Sequence, residues 1–375
     1  MSQTTPPSEC SESNLSQGPM ESIRPRVTSF FEFWPTWLMY LPVAVMWLLL
    51  ALRYRSLTLP LIANPRIHLA GMVGSSKTEV LAQAQGVCAD AILPWVLLIR
   101  SQDSIDTQVS QILADAKLKG ISFPLVCKPD LGCRGAGVKL VHDPQSLAEI
   151  INQYPVGAGL IIQKLSSFEN EVGIFFVRDP RAENGRIVSL TFKERPTMVG
   201  DGVSTLEQLV MKNPRASQLY PLYASRNKEH WHVILAKDQR HSLLFSASHC
   251  RGAVFTDGRE HISPELEQTL NHIMRELPGF HYGRLDVKYN NLAELKAGAS
   301  LQIVEINGAS AEAIHIWDKD TRFLNAIGTL LWQYRTLFRL GNTIRKRGIK
   351  TPTLKSILTA WRREIKLTAH YPETD

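Results

Sequence analysis

The sequence predicts an α/β (α+β) protein preceded by a hydrophobic, membrane-associated helix, and three stretches predict it. "FPLVCKPDLGCRGAGVKLVHD", from Phe123, is an apolar run, a glycine-rich turn and a second apolar run, as in two paired strands. "GRLDVKY" and "QIVEING", Gly283 to Gly308 with the loop between them, alternate at the period of strands yet carry acids where core strands carry none. "FFEFWPTWLMYLPVAVMWLLLALRYRS" is uncharged from Phe33 to Leu52, aromatic at its flanks and closed by Arg53 and Arg55.

In chain order, residues 1–29 are Ser/Pro/Glu-rich with little to bury and read as a disordered tail. Residues 30–58 form the anchor, and Pro35 and Pro42 keep an in-plane helix or hairpin open beside a true span. Residues 59–120 read as a leading α/β lobe: "RIHLAG" a strand, "SKTEVLAQAQ" a helix capped by Ser76, "AILPWVLLIR" a strand, and "DTQVSQILADAKLKG" a helix stopped at glycine. From residue 121 to 318 strands and helices alternate in a larger domain, with a Gly-Asp-Gly turn at 200–202 entering a helix through a Ser204–Glu207 capping box. Residues 319–375 form a basic helical extension.

A chain of 375 residues buries two or three domains' worth of core. Its net charge of +7 is uneven: ten Lys or Arg and one Glu fall between Arg335 and Lys366. With Trp-bearing apolar faces opposite, those helices suit an anionic membrane surface or packing on the body. No nucleic-acid partner is expected, because no recognised binding fold accompanies the charge. Five cysteines without metal or disulfide spacing point to reduced thiols, and so to a membrane-associated protein whose main domain faces the cytoplasm.

Lys128 ends an apolar strand, and Gly132, Gly135 and Gly137 follow; a point charge beside free backbone N–H groups can hold phosphates, and the same glycines fit a plain turn. Backbone around Gln163, Lys164 and Leu165 can meet a base edge, and Glu171 can accept two ribose hydroxyls or face solvent. Lys193 emerges from an apolar strand where it would neutralise a phosphate tail. Arg284, Asp286, Glu305 and Asn307 converge if their two strands pair, leaving Leu285, Val287, Val304 and Ile306 on the buried face. Two carboxylates and an amide oxygen form a hard-oxygen set that suits Mg²⁺.

This ordered set, with "GRLDV" and "VEING", resembles the ATP-grasp superfamily, and among it D-alanine–D-alanine ligase and cyanophycin synthetase; the resemblance covers Ile121 to Trp317. It implies two α/β subdomains gripping ATP, a lid over residues 121–165 and a catalytic part over 166–318. It implies ATP held by Lys128, the Gly132–Gly137 loop, Gln163, Lys164, Leu165, Glu171 and Lys193, with Mg²⁺ or Mn²⁺ on Asp286, Glu305 and Asn307. Arg284 would be the catalytic residue that steadies the developing anion, and His249 and Arg251 would border an acceptor site. The implied activity is ADP-forming ligation of a carboxylate to an amine, or another nucleophile, through an acyl phosphate. The alternative is a non-catalytic, membrane-anchored ATP-binding scaffold or regulatory module. Partners would be ATP, a carboxylate and an amine, a membrane, and in one arrangement a second copy. The chain departs from the superfamily at Gln163, where many relatives carry an acid, and lacks an evident phosphate-binding lysine in its leading lobe, for which Arg100 would substitute.

Overall fold

The computed structural model describes residues 31, 34–132, 137–245 and 252–372. Helix α1 (Thr36–Tyr54) starts directly after Pro35 and contains Pro42 without ending there. Two short helices follow, α2 (Lys77–Leu81) and α3 (Gly86–Ala91). The expected strand at residues 66–71 is instead a turn, because Leu69, Ala70 and Gly71 all take left-handed φ of 47°, 55° and 81°, which no strand accommodates. Ser76 caps α2 through the Glu79 N–H as expected, but the helix stops after five residues.

The next elements are β1 (Trp95–Ile99), α4 (Ile105–Leu118), β2 (Leu125–Pro129), β3 (Lys139–Val141), α5 (Pro144–Gln153) and β4 (Gly159–Lys164). They make an antiparallel sheet of order β1-β4-β2-β3. Ile112 and Ala116 of α4 with Leu147 and Ile151 of α5 close its core against Leu125, Cys127, Leu160 and Ile162. Strand β1, expected in a separate leading lobe, is thus the edge of the sheet that carries Lys128.

The second sheet is built from β5 (Asn170–Val177) and β6 (Arg186–Glu194). A small unit of β7 (Thr197–Val199), α6 (Leu206–Lys212), α7 (Tyr220–Arg226) and β8 (Arg240–Ser242) follows, and then β9 (Val254–Asp257). Helix α8 (Pro264–Arg275), β10 (Tyr282–Tyr289), α9 (Leu292–Lys296) and β11 (Gln302–Asn307) complete it. Its order is β11-β10-β5-β6-β9, all antiparallel. Leu266, Leu270 and Met274 of α8 cover one face over Val172, Ile174 and Leu285. The capping box of α6 lies one residue later than expected, between Thr205 and Gln208, because Asp201 takes both the N–H and the hydroxyl of Ser204.

Two helices end the chain, α10 (Phe323–Arg345) and α11 (Leu354–Thr368). Leu337 and Leu340 of α10 pack with Phe175 and Tyr282 on the other face of the second sheet. Helix α1 runs parallel to α10: Met39 and Val43 meet Ala326 and Leu330 near one end, and at the other Tyr54 stacks on Phe338 while Arg345 donates to the Tyr54 carbonyl at 2.9 Å. The outer side of α1, with Trp37, Leu41, Val45, Leu48 and Leu52, is exposed. Among the described residues one helix is long and apolar enough to cross a membrane, Trp37–Tyr54, with mean hydropathy 1.6 and 17% of it buried.

Candidate functional site

Strand alternation turns Arg284, Asp286 and Lys288 of β10 to one face of the second sheet. Arg284 lies opposite Asn307 and Asp286 opposite Glu305 on β11. On the other side Asp286 is opposite Gly173 and Lys288 opposite Glu171 of β5, and Glu171 is opposite Lys193 of β6. Facing side chains in such a ladder stand about 5 Å apart at Cβ, so the polar groups expected to converge do so. Leu285, Val287 and Ile306 are buried on the reverse face as expected, but Val304 is not the fourth: the register shifts between Asp286 and Val287, which pairs with Ile303. Val304 is the extra residue of a bulge.

A bulge leaves a main-chain group out of the ladder. Here the Val304 carbonyl accepts from Lys128 Nζ at 3.0 Å and Gln163 Nε2 at 3.4 Å, which fastens the first sheet to the second. Gln163 also donates to the Leu93 carbonyl at 3.2 Å, and its backbone lies in ladders with Trp95 and Val126. It is a structural link in this arrangement rather than a free hinge. The Lys164 N–H donates to the Pro94 carbonyl at 2.9 Å, its side chain is exposed, and Leu165 follows half-buried.

The charges form one cluster. Arg284 grips Asp286, Nε to Oδ1 at 2.8 Å and Nη2 to Oδ2 at 3.3 Å, and Lys193 stands 3.5 Å from Oδ2. Lys193 also donates to Glu171 Oε1, and Lys288 reaches Glu171 Oε2 at 3.0 Å. Lys77 is 4.0 Å from Glu305. Five cations, Lys77, Lys128, Lys193, Arg284 and Lys288, therefore surround three carboxylates among the described residues.

Burial raises the Asp286 carboxyl, yet Arg284 and Lys193 overcome it and hold it at about 2. Glu171 is likewise desolvated and likewise kept low by Lys193 and Lys288. Lys128 goes the other way: burial pulls its ammonium down to about 8 in spite of Glu305 nearby. It is 5% exposed, and among the described residues no carboxylate lies within 4.0 Å of it. A buried cation without a close counter-ion favours an anion brought from outside.

The oxygens a cation could meet here are those of Glu305, Asp286 and the Asn307 amide. Among the described residues no group of three or more His, Cys, Asp or Glu could hold a metal, so water and ligand oxygens would have to complete the shell, as Mg²⁺ commonly permits. Asn307 Nδ2 is buried without a hydrogen-bond partner, and a half-turn of the amide would exchange it for the oxygen. Glu305 is the open carboxylate, because Asp286 is already shared between Arg284 and Lys193.

Gly132 and Gly137 border the glycine loop, both at positive φ, 131° and 73°, and a Cβ on Gly137 would fall 2.4 Å from the Tyr154 hydroxyl. Gly135, His249 and Arg251 lie outside the described residues. Arg100 follows β1 at the end paired with Gly159, away from the Gln163 end, and donates to the Ser101 carbonyl. The sequence reading did not single out Lys77, which lies beside Glu305 and donates to the Gly132 carbonyl at 2.7 Å; nothing in its local pattern sets it apart. Lys288 was legible, two residues after Asp286 on the same strand. Glu312 was not: its carboxylate accepts from Tyr40 of α1 and from Trp317 Nε1 at 3.1 Å, and its main-chain oxygen accepts from Arg284 Nη1 at 3.3 Å. Burial raises the Glu312 carboxyl.

No protein-family model matches the chain, and no curated protein matches it. Among solved structures it is similar to D-alanine–D-alanine ligase from Bacillus anthracis, at 14% identity and TM-score 0.41 over 76% of this chain and 72% of that one. It is similar to a bifunctional glutathione synthetase from Pasteurella multocida, at 17% identity and TM-score 0.36 over 68% of this chain, which spans only 35% of that one. It is also similar to the ATP-grasp ligase PsnB, at 14% identity and TM-score 0.34 over 69% of this chain and 60% of that one. Likenesses this distant assign the chain no family, no substrate and no residue a role.

Proposed function

We propose that the chain is an ATP-dependent, ADP-forming ligase that joins a carboxylate to an amine or another nucleophile through an acyl phosphate. The observation that carries this reading is Lys128, a buried ammonium without a close counter-ion in a cluster where cations outnumber carboxylates five to three. A polyphosphate supplies the missing negative charge, and a site built to hold it needs positioning and charge neutralisation rather than a protein nucleophile. Lys128, Lys193 and Lys77 would face the phosphates, with Lys77 in the part first given to Arg100, and the loop from Gly132 to Gly137 would close over them. Lys164, Leu165 and Glu171 would border the nucleoside, Glu171 by exchanging Lys288 or Lys193 for ribose hydroxyls. Glu305, Asp286 and Asn307 would hold Mg²⁺ or Mn²⁺, which when bound spreads the charge of the transferring phosphoryl group. Arg284, fixed by Asp286, would steady the oxyanion formed as the acyl phosphate is attacked.

Residues 121–165 would then act as the lid and 166–318 as the catalytic part, held to the membrane by α1 on the cytoplasmic side. One observation favours the second reading, a nucleotide-binding scaffold: Asp286 is fully engaged by Arg284 and Lys193, which leaves one open carboxylate for metal. Phosphate and ADP release from ATP and Mg²⁺ with pooled carboxylates and amines separates the two. The ligase reading expects release that depends on both pools and is lost in Glu305→Ala. ATP binding without release under any pool supports the scaffold, and no ATP binding at all overturns both.

A further inference from the structure

Helix α11 has no buried residue. Leu354, Leu358, Trp361 and Ile365, spaced by four, three and four, form one exposed apolar stripe, each about half exposed. Lys355, Arg362 and Lys366 lie along one side of it and Arg363 farther round. The only acid of the helix, Glu364, is turned inward, where it accepts from the Gly74 N–H at 2.7 Å. The inner side reaches the loops on both sides of the lysine cluster. Gly74 begins the turn into α2 and Lys77, and a Cβ there would lie 2.9 Å from Ala360. Just past the helix, Tyr371 packs on Tyr154 with centroids 5.2 Å apart, and a Cβ on Gly132 would meet its ring at 3.4 Å. The helix starts nine residues after Arg345, which binds the end of α1.

We propose that α11 is a docking face for an anionic lipid bilayer, and that its inner side couples lipid binding to the Gly74 turn and Gly132, the backbone beside Lys77 and Lys128. An apolar stripe bordered by Lys and Arg and cleared of acid matches an acyl layer beneath negatively charged headgroups. An apolar protein partner would not need the cations, and a polyanion in solution would not need the stripe. Because α11 touches the Gly74 turn and Gly132 together, a bilayer that orders it also orders the backbone beside Lys77 and Lys128. The coupling rests on the nucleotide reading above; the lipid face does not.

The test floats the full-length chain with vesicles of phosphatidylcholine, with and without phosphatidylglycerol, at low and high salt, and follows amide exchange in residues 354–368. Added phosphatidylglycerol should raise partitioning at low salt and slow exchange in α11. The double variant Arg362→Ala/Lys366→Ala, at exposed positions that spare the fold, should lose roughly 30-fold of that gain while α1 keeps its charge-independent binding. Leu358→Glu should weaken binding to both vesicle types. An unchanged gain in the double variant, or unchanged exchange in α11, overturns the lipid face. So does Leu358→Glu separating two copies with vesicle binding intact, or the double variant losing nucleic-acid binding alone. ATP affinity measured with and without the anionic vesicles should be tighter with them. Equal affinities overturn the coupling, whereas no ATP binding in either condition overturns the nucleotide reading and leaves the lipid face standing.

Discussion

The Lys128 ammonium on β2 donates to the Val304 carbonyl on β11 across 3.0 Å, at the residue where the β10–β11 register slips. One irregularity thereby does two things: it frees a main-chain oxygen for the first sheet to bind, and it keeps Asp286 and Glu305 facing each other beyond the slip.

Burial holds Lys128 at about 8 against 10.5 for an ordinary lysine. Below pH 8 the group is charged in folded and unfolded chains alike, and its desolvation weakens the fold. As pH rises from about 8 to 10.5 the folded chain gives up the proton first and that weakening disappears, which is worth about 3 kcal/mol by linkage. Denaturant unfolding of wild type and Lys128→Met across this range should show the wild type catching up with the variant. Parallel pH curves would mean the ammonium is solvated.

Asp286 has the opposite sign. Its folded value of about 2 lies below the ordinary 3.8, so its contribution is complete above about pH 4 and lost as pH falls through 2. Asp286→Asn leaves Arg284 and Lys193 buried with less counter-charge and should cost about 3–5 kcal/mol at pH 7. Adding Lys193→Met should return part of it, since the two changes share one interaction. A double variant as unstable as the sum of the singles would refute the pairing.

Two glycines beside the cluster should respond differently to a methyl group. At Gly308 a Cβ would lie 2.4 Å from the Ala70 carbonyl and 2.9 Å from Gly71 Cα, main-chain atoms that cannot turn aside. Gly308→Ala should therefore cost about 1–3 kcal/mol and shift Asn307 with it. At Gly173 the near atoms are Ile314 Cδ1 at 2.9 Å and Arg284 Cδ at 3.2 Å, both side chains. Gly173→Ala should melt close to wild type, and on the proposed ligase reading should lose turnover, because Arg284 moves. Equal melting losses in the two variants would count against this distinction.

The polar face was legible because period-two alternation alone puts Arg284 with Asp286 and Glu305 with Asn307 on shared faces, and antiparallel pairing does the rest. The bulge was not, since Ile303 and Val304 are equally apolar and nothing in "QIVEING" says which of them turns inward. Lys77 escaped because its place is set by long-range bonds, its N–H to the Asp130 carbonyl at 3.1 Å and its Nζ to the Gly132 carbonyl at 2.7 Å, which no local pattern predicts. The assignment of β1 to a separate lobe failed for a related reason: an apolar strand does not name its partner, and β4 lies some sixty residues away in sequence.

Helix α1 combines a span's composition with a docked position. Met39, Val43 and Ala51 are buried, and Tyr40 binds Glu312, whose main chain holds Arg284, so removing the helix would disturb the polar cluster too. Among the described residues Leu41 and Leu48 on the outer side belong to no buried apolar cluster. Leu41→Glu/Leu48→Glu, at positions 53% and 59% exposed, should sharply weaken binding to uncharged vesicles, with the anionic-lipid gain of α11 kept, while leaving the melting temperature within a few degrees of wild type. Tyr40→Phe should do the reverse: membrane association stays, and the hydrogen bond to the Glu312 carboxylate is lost. That carboxyl, already raised by burial, should then titrate higher still, read in the carboxylate infrared bands of the variant against wild type. Membrane release by Tyr40→Phe, or undiminished vesicle binding by the double glutamate variant, would count against a lipid-facing outer side of α1.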